Sequence, residues 1–131
     1  MPVVVGYVRS PYGEAALKAG IDEALLRQTF LVVVLTARDS GPGEPPASAE
    51  QQLDALAARL DDAGVEHDIR HFESDLDAPG QILRTAANTG ADLIVIGLRP
   101  RTPVGKLLLG STAQQVLLDA PCAVLAVTAD V

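Results

Sequence analysis

The sequence predicts an α/β protein whose parallel sheet is covered by helices on both faces. Three observations carry this. Five short aliphatic runs alternate with helical segments along the chain. The runs read as near-continuous Val, Leu and Ile, the pattern of strands buried on both faces. Aromatic residues make up only 3% of a chain that is 48% hydrophobic, with no Trp, so the core must be aliphatic.

The first run, Pro2 to Tyr7 (PVVVGY), reads as strand one. Ser10-Pro11 then combines an N-cap residue with proline at the first helical position, predicting a helix to about Gln28. Phe30 to Ala37 (FLVVVLTA) is the second strand, followed by a Gly/Pro-rich surface loop over 38–47. Ser48-Ala-Glu-Gln51 has the form of a capping box, and its helix carries Leu53, Leu56, Ala57 and Leu60 inward before stopping at Gly64. Val65 to Phe72 (VEHDIRHF) is a more polar third strand. A helix begins near Asp77, with Pro79 in its first turn, and ends at Gly90. Ala91 to Gly97 (ADLIVIG) is the fourth strand. The last helix begins near Ser111-Thr112 and stops before Pro121, and Ala123 to Thr128 (AVLAVT) is the fifth strand. No internal repeat or composition break divides the chain, so residues 1–131 read as one domain.

Net charge is −7, which disfavours a nucleic-acid partner, and the aromatics are too few for a base-stacking platform. No apolar stretch is long enough to span a membrane, and the N-terminus lacks the features of a signal peptide. The single Cys122 excludes an internal disulfide and suits a reducing compartment. Together these point to a cytoplasmic protein.

Ligands of open α/β sheets bind beyond the carboxyl ends of the strands, where strand order reverses. After strand four, residues 97–112 offer Gly110 for close backbone approach and Ser111-Thr112 opening a helix, whose free amides favour an anion. Arg99, Arg101 and Lys106 add cations there, and Arg9 follows strand one. Exposed basic residues are ordinary, and Asp39, Glu44, Glu73, Asp75 and Asp77 stand at the same edge, so the cationic patch is local. Gly105-Lys106 resembles the end of a Walker A loop, but Leu107 and Pro100 break that motif, and no G-x-G-x-x-G follows strand one.

The stretch from Ala91 to Thr128 resembles the universal stress protein family. Gly97, Gly110 and Ser111 fit its G-x2-G-x9-G-[S/T] signature, Asp119-Ala-Pro121-Cys122 fits the step into its last strand, and the Val-rich opening with Ser10-Pro11 is similar too. The resemblance implies a Rossmann-like, adenine nucleotide alpha hydrolase-like three-layer sandwich with strand order 3-2-1-4-5. It implies an adenine nucleotide, ATP or AMP, with Mg²⁺ as its companion. The positions carried over are Gly6, Tyr7, Val8, Thr36, Ile96, Gly97, Pro100, Gly110, Ser111 and Thr112, with Arg99 and Lys106 as added cations. Two depart from the family pattern. Val8 stands in place of an Asp and loses an acceptor, and Pro100 replaces the second signature glycine and has no N–H to donate. Losing one hydrogen bond to a charged ligand costs about 1.5–3 kcal/mol, which charge-assisted contacts from Arg99, Arg101 and Lys106 can offset.

The expected function is therefore a non-catalytic, nucleotide-binding regulatory module with an altered site. The alternatives are a nucleotide-independent dimeric interaction protein, favoured by Val8 and Pro100, and a slow nucleotide hydrolase, for which no catalytic residues are found. The aliphatic fifth strand would be a sheet edge, and the family often dimerises through it. A homodimer around Val124, Leu125 and Val127 is the expectation. His67 and His71 lie four residues apart on strand three, roughly 13 Å, too far to share a metal, and read as surface residues. Cys122 reads as a small buried hydrophobe, and Asp61-Asp62 and Asp75/Asp77 as solvated charges.

Overall fold

The structure, a computed structural model, describes residues 1–36, 49–71, 77–98 and 110–129. Among these residues nine elements alternate: β1 (Val3–Tyr7), α1 (Pro11–Arg27), β2 (Leu31–Leu35), α2 (Ala49–Ala63), β3 (His67–His71), α3 (Ala78–Thr89), β4 (Leu93–Leu98), α4 (Ser111–Asp119) and β5 (Ala123–Thr128). The strands form one parallel sheet in the order β3-β2-β1-β4-β5. This is the parallel sheet that the residues predict, in the Rossmann-like strand order that the family resemblance implies.

The period-two alternation of the strands divides the core in two. Val3, Val5 and Tyr7 of β1, Leu31, Val33 and Leu35 of β2, and Leu93 and Val95 of β4 pack with Ala16, Leu17 and Ala24 of α1 and Leu56 and Leu60 of α2. Val4, Val32, Val34, Ile94 and Ile96 point the other way, onto Ile82 and Ala86 of α3 and Ala113 and Val116 of α4. The three inner strands are buried on both faces, which is why they read as unbroken aliphatic runs. Of the two outer strands, β3 is half-buried and polar, while β5 is no more buried yet aliphatic. No helix among the described residues is long and apolar enough to cross a membrane.

Three helices close in the same way. The residue after the left-handed position donates five residues back: Thr29 to Ala24, Val65 to Leu60, and Ala91 to Ala86, at 3.0, 3.3 and 3.0 Å. The left-handed positions are Gln28, Gly64 and Gly90, with φ of 55, 74 and 66°. This corrects the strand starts. Val65 and Ala91 are apolar because they close helices, so β3 begins at His67 and β4 at Leu93. Ala37, Phe72, the 38–47 loop and the Ser48 cap lie outside the described residues.

His67 is also corrected. It is half-buried, its Nδ1 lies 3.0 Å from the Val65 carbonyl, and His71 is likewise half-buried. Cys122 is half-buried against the α3/α4 layer, and burial, with Asp92 nearby, pushes its thiol pKa up.

Candidate functional site

The central strands part company at their C-terminal ends. The β1–β4 ladder runs through Val3↔Leu93, Val4↔Ile94 and Val5↔Val95 and stops there. Beyond that point β1 still pairs with β2, as far as Tyr7↔Leu35, and β4 still pairs with β5, as far as Leu98↔Thr128. The crevice lies where strand order reverses, the expected place for a ligand.

A cleft opens in it, lined by Gly6 and Val8 after β1, Thr36 after β2, Ile96 and Gly97 of β4, and Gly110 to Ala113 at the start of α4. Tyr12 of α1 and Ala78 and Ile82 of α3 complete the wall. Its enclosed space is about 80 Å³, against roughly 300–1,000 Å³ for a typical ligand pocket. The described walls therefore enclose room for only part of a ligand of ordinary size.

Each wall residue has a local cause. The Ser10 hydroxyl caps α1, accepting from the Gly13 amide at 2.9 Å. The cap fixes the turn that brings Tyr12 against Gly97. Gly97 must lack a side chain, because the Tyr12 carbonyl occupies the place a Cβ would take. Gly13 is in the same position against the Val8 carbonyl. At Gly6 the space is filled from across the cleft, with Ile82 Cδ1 2.5 Å from where a Cβ would stand.

The helix starts at this edge differ in one respect. Ser10 caps α1, and the Asp77 carboxylate caps α3, accepting from the Gly80 amide at 3.0 Å. α4 starts at Gly110, which has no side chain to offer. Its first-turn amides are left without a side-chain cap at a wall of the cleft, next to the Ser111 and Thr112 hydroxyls. Uncapped amides and the positive end of the helix dipole favour an anionic group there. Asp77 puts one carboxylate near the mouth, but it is exposed and tied to its own helix. No group of three His, Cys, Asp or Glu able to hold a metal occurs among the described residues.

The structure brings Gly6, Val8, Thr36, Ile96, Gly97, Gly110, Ser111 and Thr112 together in this cleft. Tyr7 is not with them. Its side chain is buried on the opposite face of β1, in the α1/α2 layer, and only its backbone adjoins the site. Its hydroxyl donates to Glu14 Oε1, and Arg59 of α2 clamps both oxygens of Glu14, at 3.2 and 2.6 Å. Burial first, and then the adjoining Glu14 carboxylate, push the Tyr7 pKa from 10.0 up to about 12. The Arg59 pairing holds the Glu14 carboxyl below its usual range. Arg99, Pro100, Arg101 and Lys106 lie outside the described residues.

Sequence reasoning missed Tyr12, Ala78, Ile82 and Ala113. Tyr12 had a usable signal, since it follows the Ser10-Pro11 helix start beside strand one. The other three are apolar helix residues that cannot be told from core by spacing.

A family model described as the universal stress protein family matches residues 1–128. A universal stress protein of Mycolicibacterium smegmatis is 41% identical over 125 residues, covering 95% of each chain. Among solved structures, the universal stress protein from Archaeoglobus fulgidus superposes with a TM-score of 0.75 at 30% identity, over 96% of this chain and 97% of that one. A structure of the universal stress protein from the same organism in complex with dAMP gives a TM-score of 0.73 at 27% identity, over 96% of each chain.

Proposed function

This chain belongs to the universal stress protein family, and on that premise we propose that its cleft binds an adenine nucleotide as a regulatory, non-catalytic module. The observation that carries the reading is the uncapped start of α4 at Gly110, aimed into a crevice between parting central strands. A phosphate placed there receives the first-turn amides and the Ser111 and Thr112 hydroxyls, while base and sugar extend over the apolar wall of Val8, Ile82 and Ile96. The similar protein from Archaeoglobus fulgidus holds dAMP, an adenine nucleotide. No carboxylate lines the cleft among the described residues, so Mg²⁺ would arrive carried on the phosphates of ATP.

Calorimetric titration with ATP and AMP, with and without Mg²⁺, tests this. Micromolar binding is expected, weakened about tenfold or more in Ser111→Ala through loss of a hydrogen bond to a charged group, and weakened also in Lys106→Ala. Absence of heat at millimolar nucleotide on folded protein would favour the second reading, a nucleotide-independent interaction protein. Val8 is the observation behind that reading, since it presents no acceptor to the cleft.

The proposal includes a homodimer through β5. Val124, Leu125 and Val127 are half-buried against the chain's own layers, and among the described residues the outer edge of β5 has no strand beside it. An uncharged six-residue edge of this kind is normally paired or covered. Light scattering on the purified protein should give twice the monomer mass of 13.6 kDa, and a monomer would overturn the dimer.

A further inference from the structure

Among the described residues six large apolar side chains are exposed: Met1, Leu25, Leu26, Phe30, Leu117 and Leu118. All six stand at one end of the molecule. Leu25 and Leu26 lie in the last turn of α1, Leu117 and Leu118 in the last turn of α4, and Met1 and Phe30 lead into β1 and β2. This is the amino-terminal edge of the sheet, the end opposite the cleft. On the α1 side the chain start and the α1–β2 turn lie together. The Thr29 hydroxyl donates to the Met1 carbonyl at 2.9 Å, and the Val3 amide donates to the Phe30 carbonyl at 3.1 Å. Met1 and Leu26 are 78 and 77% exposed, so the fold itself makes little use of them.

The charges around this surface run against helix electrostatics. The carboxyl end of a helix favours a cation. Yet α2, α3 and α4 have no basic residue in the last turn, and α2 ends on Asp61 and Asp62 and α4 on Asp119. Arg27, the last-turn cation of α1, lies 3.3 Å from Glu23 and 3.6 Å from Asp92. Beside Phe30 is an open recess lined by Asp61, Val65, Glu66 and His67. His67 Nδ1 is 3.0 Å from the Val65 carbonyl. In the neutral ring that nitrogen donates, so Nε2 is left as an acceptor, 3.9 Å from Asp61 Oδ1. The recess therefore offers acceptors and an aromatic ring, with no free side-chain donor. Such a lining suits a Lys or Arg side chain.

We propose that this end of the molecule docks a basic amphipathic helix of a partner protein, with the apolar stripe of that helix on Met1, Leu25, Leu26 and Phe30 and its cationic flank on Asp61 and Glu66. Charge complementarity selects this occupant. A nucleic acid or an anionic lipid surface meets carboxylates of its own sign, and a second copy docked end to end brings the same carboxylates against these. The surface is separate from the cleft and does not depend on nucleotide binding.

The probe is a fluorescently labelled synthetic helical peptide with Leu at i, i+3, i+4 and i+7 and Lys elsewhere. It is compared with a counterpart carrying Glu in place of Lys and with one whose Leu positions are scrambled. Fluorescence anisotropy at low salt is run on the full chain and on Leu26→Ser, Glu66→Gln and Asp54→Asn, each shown to be folded by circular dichroism. The wild type should bind the Lys/Leu peptide about fivefold or more tightly than the scrambled one, and should not bind the Glu counterpart. Leu26→Ser should weaken binding about fivefold or more, and Glu66→Gln about threefold. Asp54→Asn removes the same charge from another exposed site on α2 and should leave binding unchanged. Equal binding of the ordered and scrambled peptides overturns the proposal, because it leaves only general attraction to an acidic protein. Unchanged binding in Leu26→Ser overturns it too. So does a fall in mass by light scattering in Leu26→Ser, which would make the occupant a second copy of the chain.

Discussion

Gly97→Ala is expected to lower stability by about 3 kcal/mol, a fall of roughly 10 °C in Tm for a domain of this size. It should weaken nucleotide binding at least tenfold. A Cβ at residue 97 falls on the backbone carbonyl of Tyr12. That carbonyl belongs to the first turn of α1, which is fixed by the Ser10 cap and by α1 packing on the sheet, so it cannot rotate away as a side chain could. Relief requires α1 to shift, and Tyr12, a wall of the cleft, moves with it. Gly6→Ala is the internal comparison. There the obstruction is the tip of Ile82, a side chain of the cleft wall that can turn aside. Gly6→Ala should therefore spare most of the stability while still weakening binding. Thermal unfolding and titration of both variants test the pair. A Gly97→Ala protein melting within about 2 °C of the wild type would mean that α1 is not held as described.

The second large effect lies on the alkaline side. The Tyr7 pKa is raised from 10.0 to about 12 in the folded protein. The unfolded chain therefore ionises first as pH rises. The contribution is fully present below pH 10 and is lost as pH climbs to about 12. A displacement of that size corresponds to about 2–3 kcal/mol. Tyr7→Phe should lose about 1 kcal/mol near neutrality, where the hydroxyl no longer donates to Glu14, and should then fall less steeply than the wild type between pH 10 and 12. Urea unfolding across that range gives the difference directly, and parallel curves would remove Tyr7 from the account. Glu14 acts in the opposite sense. Its folded pKa is lowered, chiefly by Arg59, so its contribution is present above the unfolded carboxyl value and is lost as pH falls through the folded one. Both Glu14 and Arg59 are substantially exposed, and solvent screens that part.

Much of this was legible in the residues, and the gaps have particular causes. The elements of the described residues could be read because several boundaries carry a distinct signal, such as Ser10-Pro11, Asp77 with Pro79, Gly64 and Gly90. Val65 and Ala91 misled because an apolar residue that seals a helix end looks like the first residue of a strand. In the site, the signature residues Gly97, Gly110 and Ser111 fall at one crevice because they stand on β4 and at the start of α4, which both line it. Tyr7 illustrates the limit of transferring a position rather than a side chain. Period-two alternation puts Gly6 and Val8 toward the cleft and Tyr7 toward α1 and α2. Tyr12, Ala78 and Ile82 come from three-dimensional packing of helix starts over strand ends, which linear spacing does not encode. The Glu14–Arg59 pair joins residues 45 apart in sequence, and two ordinary surface charges give no hint of it.

The early end of the β1–β4 ladder has a consequence for how the protein breathes. Amides deep in the sheet exchange with solvent only when the whole domain opens, while those at a seam exchange through smaller openings. Val3, Val4 and Val5 are paired in register on both sides, whereas Gly6 and Tyr7 have a registered partner only in β2. Deuterium uptake should therefore step up along a single strand, slow through Val5 and faster after it. The residues that exchange faster are the ones at the crevice, so occupancy of the cleft should register first as slowed exchange at Gly6 and Tyr7, even where no atom moves by a visible distance.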